Sequence, residues 1–84
     1  MKKQRHPGRT LLEQFMKPQG LSQNALAREL GVPPRRINEI ILGKRGISAD
    51  TALRLAQHFG NSPKYWMQLQ ADFDLEAARK ALTL

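Results

Sequence analysis

Apolar residues recur along the chain at intervals of three and four, which predicts helices throughout. Short segments with glycine, proline or serine interrupt this pattern, and no stretch alternates apolar and polar residues as a half-buried strand would. We therefore expect an all-α protein, a compact bundle of about five helices around one small core. The expected core residues are Leu26, Leu30, Ile37, Ile40, Leu53, Leu55 and Phe59, with the apolar residues of the first helix.

Helix ends are marked by capping residues and by prolines. The first helix has two possible starts, at Pro7 or at a capping box that begins with Thr10, and Pro18 and Gly20 are expected to end it. Asp74 is expected to begin a separate last helix near the end of the chain. Three serines are expected to cap the helices between these points: Ser22, Ser48 and Ser62.

Residues 21–43 have the layout of a helix-turn-helix, in which two short helices cross around a tight turn. Ala27 is small where the helices must approach, and Gly31 can take a positive φ in the turn. Ile37 and Ile40 then hold the second helix against the core. Agreement of several constrained positions at fixed spacing makes this prediction specific.

The second helix of this central motif is polar on its outer side. At 100° per residue, this side carries four side chains: Arg35, Arg36 (on the flank), Asn38 and Glu39. Arginine can bond to guanine, asparagine to adenine, and a carboxylate to cytosine in the major groove. Glu39 is also placed to orient Arg35. A solvated Arg35–Glu39 ion pair is the alternative, but it is worth only about 0.2–0.5 kcal/mol. We therefore predict a DNA-reading helix.

Several neighbouring positions suit phosphate. The start at Pro34 has no hydroxyl or carboxylate cap, so its N–H groups are free to face an anion, and Gln23 lies at the start of the preceding helix. Lys44 and Arg45 follow the second helix directly. Contacts of this kind set affinity and register rather than sequence choice.

The charge of +7 is confined to one half of the chain. Residues 1–45 contain ten basic and three acidic side chains, whereas residues 46–84 contain four of each. A basic half attracts a polyanion, either nucleic acid or an anionic membrane surface. Excess cations also favour solubility, but together with the motif they favour DNA.

Length and composition limit the other possibilities. We expect a flexible basic N-terminus at residues 1–5 and a single domain at residues 6–84, with dimerisation helices at about residues 63–84. With no apolar run of about 20 residues and no signal peptide, a cytoplasmic location is expected, nucleoid-associated when DNA is bound. No cysteine is present, and His6 and His58 are not in a metal-ligand spacing. We therefore expect no metal, no cofactor, no membrane partner and no enzyme activity.

The motif and its flanks resemble the HigA family of antitoxins, also called VapI-like, within the phage-repressor-type (XRE-like) helix-turn-helix proteins. The similar segments, within residues 6–79, are HPGRTLLEQF, LSQNALARELGVPPRRINEIILGKRGIS, DTALRLAQHFG and NSPKYWMQLQADFDLEAAR. Arg9 departs from the pattern, because an acidic residue commonly follows HPG.

This resemblance implies a homodimeric transcriptional repressor that binds a palindromic operator in its own promoter. It also implies, for many members, neutralisation of a co-encoded toxin, a HigB-like ribonuclease. The implied DNA contacts are Gln23, Pro34, Arg35, Arg36, Asn38 and Glu39, with Lys44 and Arg45 near the backbone.

Two alternatives remain open at this point. One is a free-standing transcriptional regulator without a toxin, and the other is a protein-binding module that works through its C-terminal half. The tail carries Tyr65, Met67, Leu75, Ala78 and Leu82, which is more apolar surface than one small domain needs. A second copy would bury it, unless the tail folds back on its own domain.

Overall fold

The computed structural model describes residues 5–84, which form five helices joined by short turns. Helix α1 consists of three consecutive segments, α-helical Pro7–Thr10, π-helical Leu11–Met16 and α-helical Lys17–Gln19. The others are α2 (Gln23–Leu30), α3 (Pro34–Ile41), α4 (Ala49–Phe59) and α5 (Pro63–Leu82). Within the described residues there is no strand, so the predicted all-α fold is confirmed. Across residues 5–84, none of the helices combines the length and the apolar character that crossing a membrane requires.

Serine side chains cap three of these helices, as the sequence predicts. Ser22 Oγ accepts from the Ala25 N–H at 3.0 Å, and Ser62 Oγ accepts from the Lys64 N–H at 3.0 Å. Ser48 does the same for α4 through a longer bond. Each hydroxyl satisfies one of the N–H groups that a helix start leaves without an intrahelical partner.

The first helix begins at Pro7, because His6 supplies its cap. His6 Nδ1 accepts from the Gly8 N–H at 2.9 Å, whereas Thr10 lies inside the helix and makes no cap bond. Of the predicted basic N-terminus, residues 1–4 lie outside the described part of the chain. Arg5, its last member, pairs with Glu13 at 2.7 Å.

Pro18 and Gly20 were predicted to end α1. Gly20, whose φ is +64°, does end it, but Pro18 does not, because the helix continues through Pro18 to Gln19. In an α-helix, a proline ring clashes with the carbonyl four residues earlier. The π-helical turn before Pro18 changes this spacing, because the Lys17 N–H bonds to Leu12 O, five residues back.

The core lies between the five helices, and Trp66 is its largest fully buried side chain. Leu26, Leu30, Ile37, Ile40 and Leu55 are buried, as predicted. Leu53 was expected there but is 59% exposed. The inner face of α4 is taken by Ala52, Leu55 and Ala56, and Leu53 lies about 100° from Ala52 around the helix.

The C-terminal helix is longer than the sequence predicts. Asp74 lies inside α5 instead of starting a new helix, and its carboxylate accepts from Gln70 Nε2 at 2.9 Å. Beyond Asp74 the helix does not fold back on the domain, because Leu75 and Leu82 are 65% and 64% exposed.

Candidate nucleic-acid interface

The helix-turn-helix is formed by α2 and α3. Ala27 is fully buried between them, and Gly31 takes the left-handed conformation in the turn, with φ of +71°. The Val32 N–H donates to Ala27 O at 3.0 Å and so closes the end of α2. Ile37 and Ile40 are fully buried beneath α3, which directs the opposite side of this helix to solvent.

The far end of α3 rests on the start of α1 through backbone contact. A Cβ at Gly8 would lie only 1.9 Å from Ile40 O, so no other residue fits without a shift. The backbones of α1 and α3 therefore meet at Gly8 with no side chain between them. The orientation of α3 therefore depends on Gly8 as well as on the buried isoleucines.

On the outer face of α3, one carboxylate joins two arginines. Glu39 Oε2 accepts from Arg35 Nε at 3.1 Å, and Glu39 Oε1 accepts from Arg45 Nε at 3.0 Å. The side chain of Arg35 is 85% exposed and that of Glu39 is 22% exposed. Hydrogen bonds from Arg35 and then Arg45 lower the pKa of Glu39. Because both carboxylate oxygens are already bonded, the geometry suits the orienting role of Glu39 better than a bond to cytosine.

Asn38 and Gln23 also meet at this surface. Asn38 Nδ2 donates to Gln23 Oε1 at 3.0 Å, which joins the start of α2 to the outer face of α3. The bond fixes the amide of Asn38 before any ligand is present. A side chain held in this way loses less conformational freedom when it binds.

Arg36, on the flank of α3, is bonded to α4. Asp50 Oδ2 accepts from Arg36 Nη1 at 2.8 Å and from Arg54 Nε at 3.1 Å, and Arg54 Nη1 donates to Leu30 O at 2.8 Å. Bonds from Arg54, and less strongly from Arg36, lower the pKa of Asp50. The sequence reasoning missed both Asp50 and Arg54. Their i, i+4 spacing was a signal for the pair, but Arg36 lies 14 residues away.

The remaining predicted positions lie at the two ends of α3. Pro33 is extended, with ψ of 142°, and no side chain caps the helix start at Pro34. At the other end, the N–H groups of Lys44 and Arg45 both donate to Glu39 O, at 2.8 and 3.2 Å. The predicted set thus lies on α3, at the first residue of α2 and in the loop after α3. Its members are Gln23, Pro34, Arg35, Arg36, Asn38, Glu39, Lys44 and Arg45.

Comparison with known proteins identifies the family. Residues 12–66 match the family described as helix-turn-helix. This chain belongs to that family. Virulence-associated protein I of Dichelobacter nodosus is 51% identical to this chain, and the match covers 89% of this chain and 69% of the relative. The predicted resemblance to HigA and VapI proteins is therefore confirmed.

Two solved structures of similar proteins contain DNA. The antitoxin HigA of Pseudomonas aeruginosa, solved with the higBA promoter, is 41% identical, with a TM-score of 0.91 over 93% of this helix-turn-helix chain and 85% of that one. Antitoxin GraA in complex with its operator is 44% identical, with a TM-score of 0.87 over 95% of this chain and 80% of that one. The fold described here is thus the fold of these antitoxins.

Across residues 5–84, histidine, aspartate and glutamate do not come together in a set of three with metal-binding potential. Leu42, at the end of α3, is 57% exposed beside the polar face, and nothing in the structure explains it.

Proposed function

We propose that this helix-turn-helix protein is a transcriptional repressor that places α3 in the major groove of a palindromic DNA operator. The observation that carries the proposal is the outer face of α3, where exposed Arg35 and Asn38 are already held by Glu39 and Gln23. Its position in the basic half of the chain suits a polyanion. Relatives of the same fold, solved with a promoter or an operator, support this reading of the surface.

Within this proposal, the side chains have two tasks. Arg35 and Asn38 bond to base edges, with guanine and adenine as their preferred partners, and Glu39 keeps Arg35 in position. The start of α3 at Pro34, together with Lys44 and Arg45, contacts the phosphates. Gln23 adjoins the phosphates at the start of α2, and Arg36 lies on the flank where the backbone passes.

We further propose that the protein binds as a homodimer formed by the distal part of α5. Leu75, Leu82 and Leu84 are exposed at this end of the chain, and contact with a second copy would remove them from water. A two-fold dimer would hold its two α3 helices about 34–36 Å apart, which is one turn of DNA. A palindromic operator matches such symmetry.

The biological role that we propose is that of an antitoxin in the cytoplasm, which represses its own operon and neutralises a co-encoded HigB-like ribonuclease. Support comes from the similar proteins that are named antitoxins HigA and GraA. Co-expression with the product of the adjacent reading frame tests this part. Relief of growth arrest is expected, and continued arrest would leave the free-standing regulator as the better description.

Binding of duplex DNA at increasing salt tests the central proposal. The probe is a duplex enriched by the protein from a randomised pool, compared with an unselected duplex of equal length. We expect the enriched duplex to bind more tightly, and log Kd to change with log salt by about 0.9 for each phosphate contacted. A flat salt response would contradict DNA binding and favour a protein-binding module.

A further inference from the structure

The loop of residues 44–47, which carries Lys44 and Arg45, is hydrogen-bonded to α3 at one end and to α5 at the other. At the near end, the N–H groups of both residues donate to the Glu39 carbonyl on α3. At the far end, the Ile47 N–H donates to Gln70 Oε1 at 2.7 Å. Residues 44–47 therefore connect fixed points on two different helices.

The carboxamide of Gln70 is itself held in place. Its Nε2 donates to Asp74 Oδ1 at 2.9 Å, which leaves Oε1 directed at the loop. Gly46 lies against it, since a Cβ at this position would come 3.0 Å from Gln70 Cδ. The side chain of Ile47 is buried, with 3% exposure, so its N–H depends on the Gln70 oxygen for a hydrogen bond.

We propose that Gln70 is a positioning residue for DNA binding, which fixes the loop so that Lys44 and Arg45 meet the phosphates. The inference rests on the proposed function, in which these two side chains contact the DNA backbone. Without the Gln70 bond, the far end of the loop would be held only by the buried Ile47 side chain and the start of α4, so its backbone would sample more positions. Ordering that backbone on DNA costs conformational entropy. With its second end bonded to Gln70, the loop is ordered before DNA arrives. Gln70 acts without touching the DNA.

The same helix provides a matched control. Gln68 Nε2 donates to Asp72 Oδ1 at 2.8 Å, with the same four-residue spacing as Gln70 and Asp74. Gln68 is exposed, and its bond stays within its own helix. A change at Gln68 therefore tests the effect of losing a glutamine–aspartate bond on α5 alone.

The experiment compares Gln70→Leu with Gln68→Leu in the full chain, by titration of the enriched and unselected duplexes at several salt concentrations. We expect Gln70→Leu to weaken binding to both duplexes by about fivefold at 0.15 M salt for each phosphate that the loop no longer reaches. The slope of log Kd against log salt should flatten by about 0.9 for each such phosphate, while Gln68→Leu leaves the slope unchanged. Partial unfolding would lower the active fraction but leave this slope as it is.

A rescue variant tests whether the hydrogen bond is the cause. Gln70→Glu combined with Asp74→Asn keeps the formal charge, and it provides both an acceptor for the Ile47 N–H and a donor at position 74. We expect the wild-type slope to return. An unchanged slope in Gln70→Leu, or a slope that stays flattened in the rescue variant, would overturn the inference.

Gly46→Ala disturbs the same contact from the loop side. It also tests the inference in the event that Gln70→Leu folds poorly. The added Cβ presses on the Gln70 carboxamide, and a smaller flattening of the slope is expected. A wild-type slope here, alongside a Gln70→Leu protein that does not fold, would count against the inference. A different result would contradict the proposed function, namely DNA binding by the wild-type protein that does not depend on salt.

Discussion

Helix α3 and the distal part of α5 expose their side chains in opposite ways. On α3 the exposed side chains are polar and bonded to one another, as where Glu39 accepts from both Arg35 and Arg45. On the distal part of α5 they include Leu75 and Leu82, which lie mostly in solvent, beside charged residues such as Arg79. The first surface suits a charged, hydrogen-bonding partner, whereas the second suits another apolar surface.

This difference separates two tasks in a short chain. The order of the α3 surface comes from contacts within the chain, so a change there should alter how DNA is recognised. In the homodimer that we propose, the apolar surface of α5 packs against a second copy, so a change there should alter assembly. Changes on the two surfaces should therefore have different signatures, one in DNA recognition and the other in assembly.

Removal of the apolar surface on α5 is expected to have the largest effect. Leu75→Asp places a charge where a second copy would pack, which should give a monomer in sedimentation equilibrium. Affinity for a palindromic duplex should fall by about 10²–10⁴-fold, because the two half-sites are no longer bound together. Binding to a single half-site should not change. Ala77→Asp, on the other side of α5, is the control, and a dimeric Leu75→Asp protein would refute the assignment.

A second prediction concerns the position of α3 as a whole. Gly8→Ala brings a Cβ against the Ile40 carbonyl, and both backbones must move apart. We expect the free energy of unfolding in urea to fall by about 1–3 kcal/mol, as for other overpacked sites. Gln14→Ala, exposed on the same helix, serves as the control. Equal urea midpoints for the two variants would show that the two backbones can move apart without a loss of stability.

A third prediction sharpens the assignment of the α3 surface. Arg35→Ala should cost about 1–3 kcal/mol on the enriched duplex and relax sequence choice there. Arg79→Ala, which removes the same charge from the tail, should leave that choice intact. Equal reductions in affinity for the enriched and unselected duplexes would mean that Arg35 contacts phosphate instead of a base.

The parts of the fold that follow from the sequence are those set by neighbours along the chain. Ser22 and Ser48 cap helices because a hydroxyl bonds to an N–H three residues later. Gly31 closes the turn because its local conformation requires a positive φ. The outer face of α3 follows from helix periodicity alone, since eight residues at 100° steps leave little choice.

The parts that were missed depend on contacts between distant residues. Asp50 joins Arg36 across 14 positions, and Gln70 joins Ile47 across 23, separations at which one sequence carries no pairing signal. Leu53 was wrongly expected in the core because leucine is usually buried. The inner face of α4 is occupied by Ala52, Leu55 and Ala56 instead. Pro18 was misjudged because a π-helical turn depends on tertiary context.

The smallest expected effect concerns His6, whose ring lies beside Phe73 on α5 and beside Gly43, just past the end of α3. Its ring centroid is 4.9 Å from that of Phe73 on α5, and a Cβ at Gly43 would lie 3.8 Å from its Cδ2. Its Nδ1 accepts from the Gly8 N–H, so this atom carries no proton in the cap. Burial lowers the pKa of His6 from its ordinary value of 6.5, although Asp74 opposes the shift.

Since the unfolded chain binds this proton more readily, stability should be full above about pH 6.5 and fall as the pH decreases toward the pKa of the folded protein. The decrease is expected to be about that of one net hydrogen bond, roughly 0.5–1.5 kcal/mol, in urea titrations at about pH 7.5 and 5.5. His6→Asn keeps a cap that does not titrate in this range. Its stability should therefore change less between the two pH values, and His58, present in both proteins, cancels in the comparison. The same pH dependence in both proteins would show that protonation of His6 does not cause the loss of stability.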